Sequence, residues 1–203
     1  MKALPISGAG VSVFGTALPE TSICSSNSRA AELEELQFDL GEGPRWEAVR
    51  TRRPVFVPSL RSHPHTLWPV YGKAIMLLDV QALFVFPLII GAIDVGVVEL
   101  HSTEPSMLSA KDITTATALV DQAAWSLLNV VLTWNEQDQK TPQALSPVGR
   151  REIHQATGMV LVQLGSTATE ALLRLRAHAF LHGMSVRNVA QEVVARTLVF
   201  AQD

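Results

Sequence analysis

Arg151-Glu152-Ile153-His154-Gln155-Ala156-Thr157-Gly158-Met159-Val160 is the stretch that decides how the C-terminal quarter of the chain folds. Ile153, Ala156, Val160 and Leu164 recur at helical spacing on one face, with Pro147 near the start and Gly165 placed to end the helix. Thr167 and Glu170 then form a capping-box pair, and Ala171, Leu172, Leu175 and Ala179 supply the buried face of a second helix, closed by Gly183. Ser185 caps a third, whose inward residues are Val186, Val189, Ala190, Val193 and Val194. Three short helices over residues 147–203 make only a small core, so this bundle is expected to lean on the preceding helix or on a second copy.

Upstream, residues 135–146 are polar, include Pro142, and read as a linker. Before them, Ser109 and Asp112 open a long helix over 109–134, in which Ile113, Ala116, Val120, Ala123, Leu127, Val130 and Trp134 are spaced 3, 4, 3, 4, 3, 4. Such an unbroken heptad row predicts a self-association seam; burial within one protomer is the other reading. A flanking row, Leu119, Ala124, Leu128 and Val131, gives the helix a second apolar side.

The first 108 residues alternate strands with short helices. Val11–Phe14 and Thr21–Ser25 read as paired strands, Ala30–Leu36 as an acidic helix, Trp46–Arg50 as a helical turn and Val55–Val57 as a third strand. Ala82–Ile90 and Val95–Leu100 are rich in branched and aromatic residues and read as a hairpin turning over Gly91–Asp94. The expected class is α+β: an antiparallel sheet flanked by helices, then a long heptad helix and a three-helix bundle.

Composition narrows the function. The chain has 203 residues, 47% hydrophobic and 17% charged, enough apolar matter for a substantial core. Its net charge of -3 hides an asymmetry: residues 1–145 hold ten basic and fifteen acidic side chains, residues 146–203 six arginines and four acids. No run is apolar enough to span a membrane, and no export signal stands at the N-terminus, so a cytoplasmic protein is expected. One cysteine, Cys24, excludes an internal disulfide and Cys-rich zinc sites. Cys24 itself is expected half-buried in a strand. No GxSxG, P-loop or HExxH motif is present, so no enzyme, metal or cofactor is expected. His101 could ligate haem, but a surface histidine is the simpler reading.

The motif Arg151–Val160, with Ala171-Leu172-Leu173-Arg174-Leu175-Arg176-Ala177-His178-Ala179, Ser185 and Val189-Ala190, resembles the ANTAR module of bacterial antitermination regulators. The upstream residues Gly10-Val11-Ser12-Val13, Glu32-Leu33-Glu34-Glu35-Leu36-Gln37, Gly41-Glu42-Gly43-Pro44 and Pro54-Val55-Phe56-Val57 resemble a GAF domain of the actinobacterial kind joined to such modules. The resemblance implies a GAF-like sensor domain (1–108), a signalling and dimerisation helix (109–134), a linker (135–146) and an ANTAR RNA-binding domain (147–203). It implies a homodimer whose ANTAR parts bind paired hairpin loops in leader transcripts and control termination or translation. A small-molecule ligand at the GAF-like domain is left open; Trp46, Trp68, Phe84 and Phe86 could line its pocket, though residues of this kind are more often simply core. Two departures stand out: Thr157 occupies a position where many ANTAR modules carry Lys, and the GAF-like part lacks most of the helix that usually precedes its first strand.

The residues support RNA binding independently. Loop bases are read by stacking and hydrogen bonds, with cations on the phosphates, and arginine suits both tasks. The candidates are Arg150, Arg151, His154, Thr157 and Gly158 on the first helix, Arg174, Arg176 and His178 on the second, and Arg187 on the third, with Arg176 foremost. Gly158 would allow close approach to its helix, by a ligand or by a neighbouring helix. A net charge of +2 over residues 146–203 predicts weak binding by one copy, strengthened when a dimer engages two sites. Two readings compete: a DNA-binding helix-turn-helix around Gly183-Met184-Ser185, and a dimeric interaction protein that binds no nucleic acid.

Overall fold

The computed structural model describes residues 4–15, 18–62, 66–137 and 148–201, with side chains described outside 14–20 and 130–150. It divides into two compact units, one built on a β-sheet and one made of the C-terminal helices.

The first unit is a five-stranded sheet in the order β2-β1-β5-β4-β3, formed by β1 (Gly8–Gly15), β2 (Leu18–Ser25), β3 (Val55–Val57), β4 (Ala82–Ile90) and β5 (Ile93–Ser102). Every neighbouring pair is antiparallel. The β4–β5 hairpin is tighter than expected, with Ile90 facing Ile93 so that only Gly91 and Ala92 turn the chain. Gly96 lets β5 lie close to β1, since a Cβ there would stand 2.0 Å from the Ser12 carbonyl oxygen.

The pleat sends alternate residues to opposite faces. Val13, Phe84, Phe86, Val98 and Leu100 point to one face, and α4 (Ala110–Gln137) covers it. The α4 cap forms as the sequence requires: the Ser109 N–H donates to Asp112 Oδ2 at 3.0 Å and the Asp112 N–H to Ser109 Oγ at 3.2 Å. Those hydrogen bonds hold the Asp112 carboxyl below its usual range. The opposite face lies under α1 (Ser28–Leu40) and α2 (Pro44–Thr51), with Ala48, Val85 and Val97 clustered there. A helix absent from the sequence reading, α3 (Pro69–Ile75), follows a 3-10 turn at Leu60–Ser62. Trp68 and Tyr71 anchor it: Trp68 Nε1 donates to Glu47 Oε2 at 2.9 Å and the Tyr71 N–H to Glu42 Oε1 at 2.7 Å.

The heptad row of α4 requires a correction. Ala116 and Val120 are buried in the protomer's own core, and Ile113, Ala123 and Leu127 pack against it, because the row faces the apolar side of the sheet. It is therefore no free seam over these residues. Of the flanking row, Ala124 is buried as well, whereas Leu119 is 49% exposed, as is Trp125 at 58%. Val130 and Trp134 lie outside the described side chains.

The second unit consists of α5 (Val148–Leu164), α6 (Ala168–His182) and α7 (Val186–Val194). Gly165 and Gly183 end the first two in left-handed conformations, φ 61 and 62. The Thr167–Glu170 capping box is complete: Glu170 Oε2 accepts the Thr167 N–H at 2.8 Å and Thr167 Oγ1 the Glu170 N–H at 3.3 Å. Ser185 Oγ caps α7 by accepting the Asn188 N–H at 3.1 Å. The core is wholly aliphatic: Ile153, Ala156, Val160, Ala171, Leu175, Ala179, Val186, Val189, Ala190 and Val193 are all buried.

Candidate nucleic-acid interface and sensor interior

With one face of α5 buried, its outer side presents Arg151, His154, Gln155, Gly158 and Val162 in a stripe along the helix. Gly158 is exposed, and a Cβ added to it would meet nothing within 4 Å. Close helix packing therefore does not account for this glycine, which costs about 1 kcal/mol against alanine in a helix interior. Thr157 is half-buried and turns its hydroxyl back to donate to the Ile153 carbonyl at 2.7 Å. The side chain of Arg150 lies outside the described set.

On α6, Arg174 is exposed and Arg176 half-buried, so solvent access favours Arg174 over the residue the sequence put first. His178 stacks on His182 with ring centroids 4.0 Å apart and meets Phe200 edge-on at 5.5 Å. Burial, then His182, holds its imidazole below the usual histidine range, with Glu192 pulling the other way. The downward shift favours the neutral imidazole. Arg187 is half-buried at the start of α7. The sequence reading missed the exposed apolar side of α6, where Leu173, Phe180 and Leu181 are 63%, 63% and 78% exposed. Their signal was spacing: they fall off the buried row Ala171, Leu175, Ala179.

In the first unit, two spaces differ sharply. Between α4 and the sheet lies an open cavity of about 500 Å³ with an almost wholly apolar lining that includes Leu4, Ile6, Leu100, Leu119, Val120 and Ala123. Its size falls in the range of small-molecule sites. On the other face, a space of about 10 Å³ is bounded by Ser12, Glu34, Arg45, Glu99 and His101.

Two expectations, those for His101 and Cys24, are corrected. His101 is buried on β5, 1% exposed, because its strand position turns it under the helices; burial, then Arg29, holds its imidazole below the usual range. Trp68, Phe84 and Phe86 are core residues and Trp46 is half-buried; none lines either space. Cys24 is exposed rather than half-buried. Among the described residues, no three His, Cys, Asp or Glu side chains are grouped to hold a metal, and no helix is long and apolar enough to cross a membrane.

The comparisons with known proteins agree with this architecture. The family model for the GAF domain matches residues 3–127, and that for the ANTAR domain matches residues 147–194. No curated protein matches the chain. Among solved structures, a domain of a two-component sensor histidine kinase protein from Sinorhizobium meliloti 1021 is similar at 16% identity and a TM-score of 0.51, covering 67% of this chain and 88% of that one. GAF3 of Slr1393 from Synechocystis sp. PCC6803, in its photoproduct state, is similar at 17% identity and a TM-score of 0.51, covering 66% and 89%. At such identity these structures speak for the fold alone. A sensory domain of the GAF family thus precedes the domain type of RNA-binding antitermination regulators, and the chain belongs to the GAF family with an ANTAR domain at its C-terminal end.

Proposed function

We propose that this protein regulates expression by binding paired hairpin loops in leader transcripts through its ANTAR domain, under control of the GAF domain. The observation that carries the reading is the outer face of α5, where Gly158 stands open in a stripe with Arg151, His154 and Gln155. A bare helix backbone between a cation and hydrogen-bonding side chains suits close approach of a folded RNA loop. Arg174 adds an exposed cation on α6, and Phe180 an exposed ring on which an unstacked base can lie.

The protein acts as a homodimer in this reading, because six arginines give one copy little hold on RNA and two linked sites bind far more tightly. With the heptad row of α4 spent on the sheet as far as Leu127, its exposed Leu119 and Trp125 are the residues that support self-association. A small-molecule signal would enter at the apolar cavity, whose wall includes Ala116, Leu119, Val120 and Ala123 of the same helix. Occupancy there would shift α4 between two positions and so change how two ANTAR domains are presented.

In vitro transcription through a leader with tandem hairpins before a terminator tests the reading. Added protein raises the fraction of full-length transcript, and the Arg151→Ala/Arg174→Ala variant does not. An unchanged termination fraction, or an effect independent of the hairpins, would refute it.

A further inference from the structure

The sheet face beneath α1 and α2 buries an ionisable cluster for which neither RNA binding nor the apolar cavity has a use. Glu99 on β5 is 8% exposed, Arg45 on α2 1% exposed, and Gln37 on α1 and Tyr71 on α3 fully buried. Glu34 of α1 and His101 of β5 border the same small space as Glu99, and Ser12 of β1 is their neutral neighbour. The β4 residue paired with Glu99 is Val85, so no further charge faces it from that side. A space of about 10 Å³ has room for about one water and excludes any metabolite.

The hydrogen bonds fix where a proton on Glu99 must sit. Gln37 Oε1 accepts the Arg45 N–H at 2.9 Å, one of the donors left over at the start of α2. The amide is thereby oriented, and its Nε2 donates to Glu99 Oε2 at 2.6 Å and to the Leu33 carbonyl at 3.4 Å. Glu99 Oε2 can then only accept. Among the described residues, Glu99 Oε1 has no hydrogen-bond partner, and neither has Tyr71 Oη. The Arg45 guanidinium donates to the Glu34 carbonyl at 3.3 Å and to Ser12 Oγ.

We propose that Glu99 is a proton-binding site through which the GAF domain reads pH, with the proton carried on Oε1 in the closed state of α1 and α2. When that O–H breaks, its proton passes to solvent and leaves a buried oxygen that bears charge without a donor. Such a group is costly unless water enters or a cation turns to it. Arg45 is the cation at hand, and turning toward Glu99 takes it from Ser12 and the Glu34 carbonyl, which loosens α2 from the sheet. The electrostatics agree: burial pushes the Glu99 carboxyl up to about 7, Arg45 and the Gln37 hydrogen bond pull it down, and Glu34 pushes it up.

The test is an infrared titration of the full-length protein from about pH 5 to about pH 9, with tryptophan fluorescence followed in parallel, since Trp46 lies against Arg45 with its ring centroid 5.8 Å away. A protonated-carboxyl band that disappears with a midpoint near 7, with a fluorescence step at the same midpoint, is expected. Both vanish in Glu99→Gln. Tyr71→Phe removes a buried hydroxyl that interacts electrostatically with Glu99 and has no hydrogen-bond partner among the described residues, and raises the midpoint. Absence of the band in the wild-type protein overturns the proposal without recourse to any variant. So does a step that persists in Glu99→Gln, or a midpoint that Tyr71→Phe leaves in place. None of these outcomes bears on RNA binding, so the two readings fail separately.

Discussion

The two units handle polarity in opposite ways. The ANTAR domain has an aliphatic interior, and its arginines with described side chains are exposed or half-buried. The GAF domain encloses Arg45, Gln37, Glu99 and His101 within the layers of its fold. Buried polar groups must be satisfied or they cost stability, so such a cluster makes the fold itself responsive to protonation. An aliphatic core has no such sensitivity and holds a binding surface steady whatever the conditions. The difference suits a sensor that changes internally and a reader that is simply presented.

The contrast is most exposed to refutation in the ANTAR core. Leu175→Ala should destabilise that unit by about 2–5 kcal/mol through cavity formation. Hydrogen exchange should then quicken across α5, α6 and α7 while the sheet of the GAF domain stays protected. Equal loosening of both units would show that they do not fold independently.

The GAF interior should respond to pH instead. Folded Glu99 keeps its proton to about 7, against 4.5 for an ordinary glutamate, so both states are protonated below 4.5 and only the folded one between the two values. Stability from this group is therefore complete at low pH, falls as pH rises across that window, and is level above it. The loss amounts to about 3 kcal/mol. Neutral His101 gives a slope of opposite sign as its unfolded form takes up protons below 6.5. The difference in denaturant stability between wild type and Glu99→Gln isolates the carboxyl, and a difference flat with pH would contradict the assignment.

Smaller effects sharpen the surface half of the comparison. Thr167→Ala removes the oxygen that accepts the Glu170 N–H, leaving only the backbone half of the capping box, and should cost about 1 kcal/mol by thermal unfolding. Gly158→Ala should stabilise α5 by up to about 1 kcal/mol, because its Cβ has open space, yet weaken RNA binding by blocking close approach. A variant that is more stable and binds RNA equally would remove Gly158 from the interface.

Periodicity made most of this legible. The heptad row, the capping boxes of α4 and α6 and the glycines ending α5 and α6 all name elements found in the structure. What periodicity could not supply was the partner of each face. A row at Ile113, Ala116, Val120, Ala123 and Leu127 looks the same whether it packs on a sheet or on a second helix. The α3 helix went unread because seven residues with one glycine carry too little pattern. Glu99 is the one acid in the apolar run Val95–Leu100, and alternation alone turns it to the side of Val97, under α1 and α2. Its pairing with Gln37, 62 positions away, was not visible.

The most direct test of the central claim, that the outer surface of the ANTAR domain reads RNA loops, is a binding titration repeated at several controlled salt concentrations. Full-length protein is titrated with a tandem-hairpin RNA, the same RNA with its loop bases changed, and duplex DNA, beside an Arg174→Ala variant. The account predicts tight binding to the first alone, with Arg174→Ala weakening it and lowering the salt slope by about one. Equal affinity for all three nucleic acids, or preference for the duplex, would contradict it.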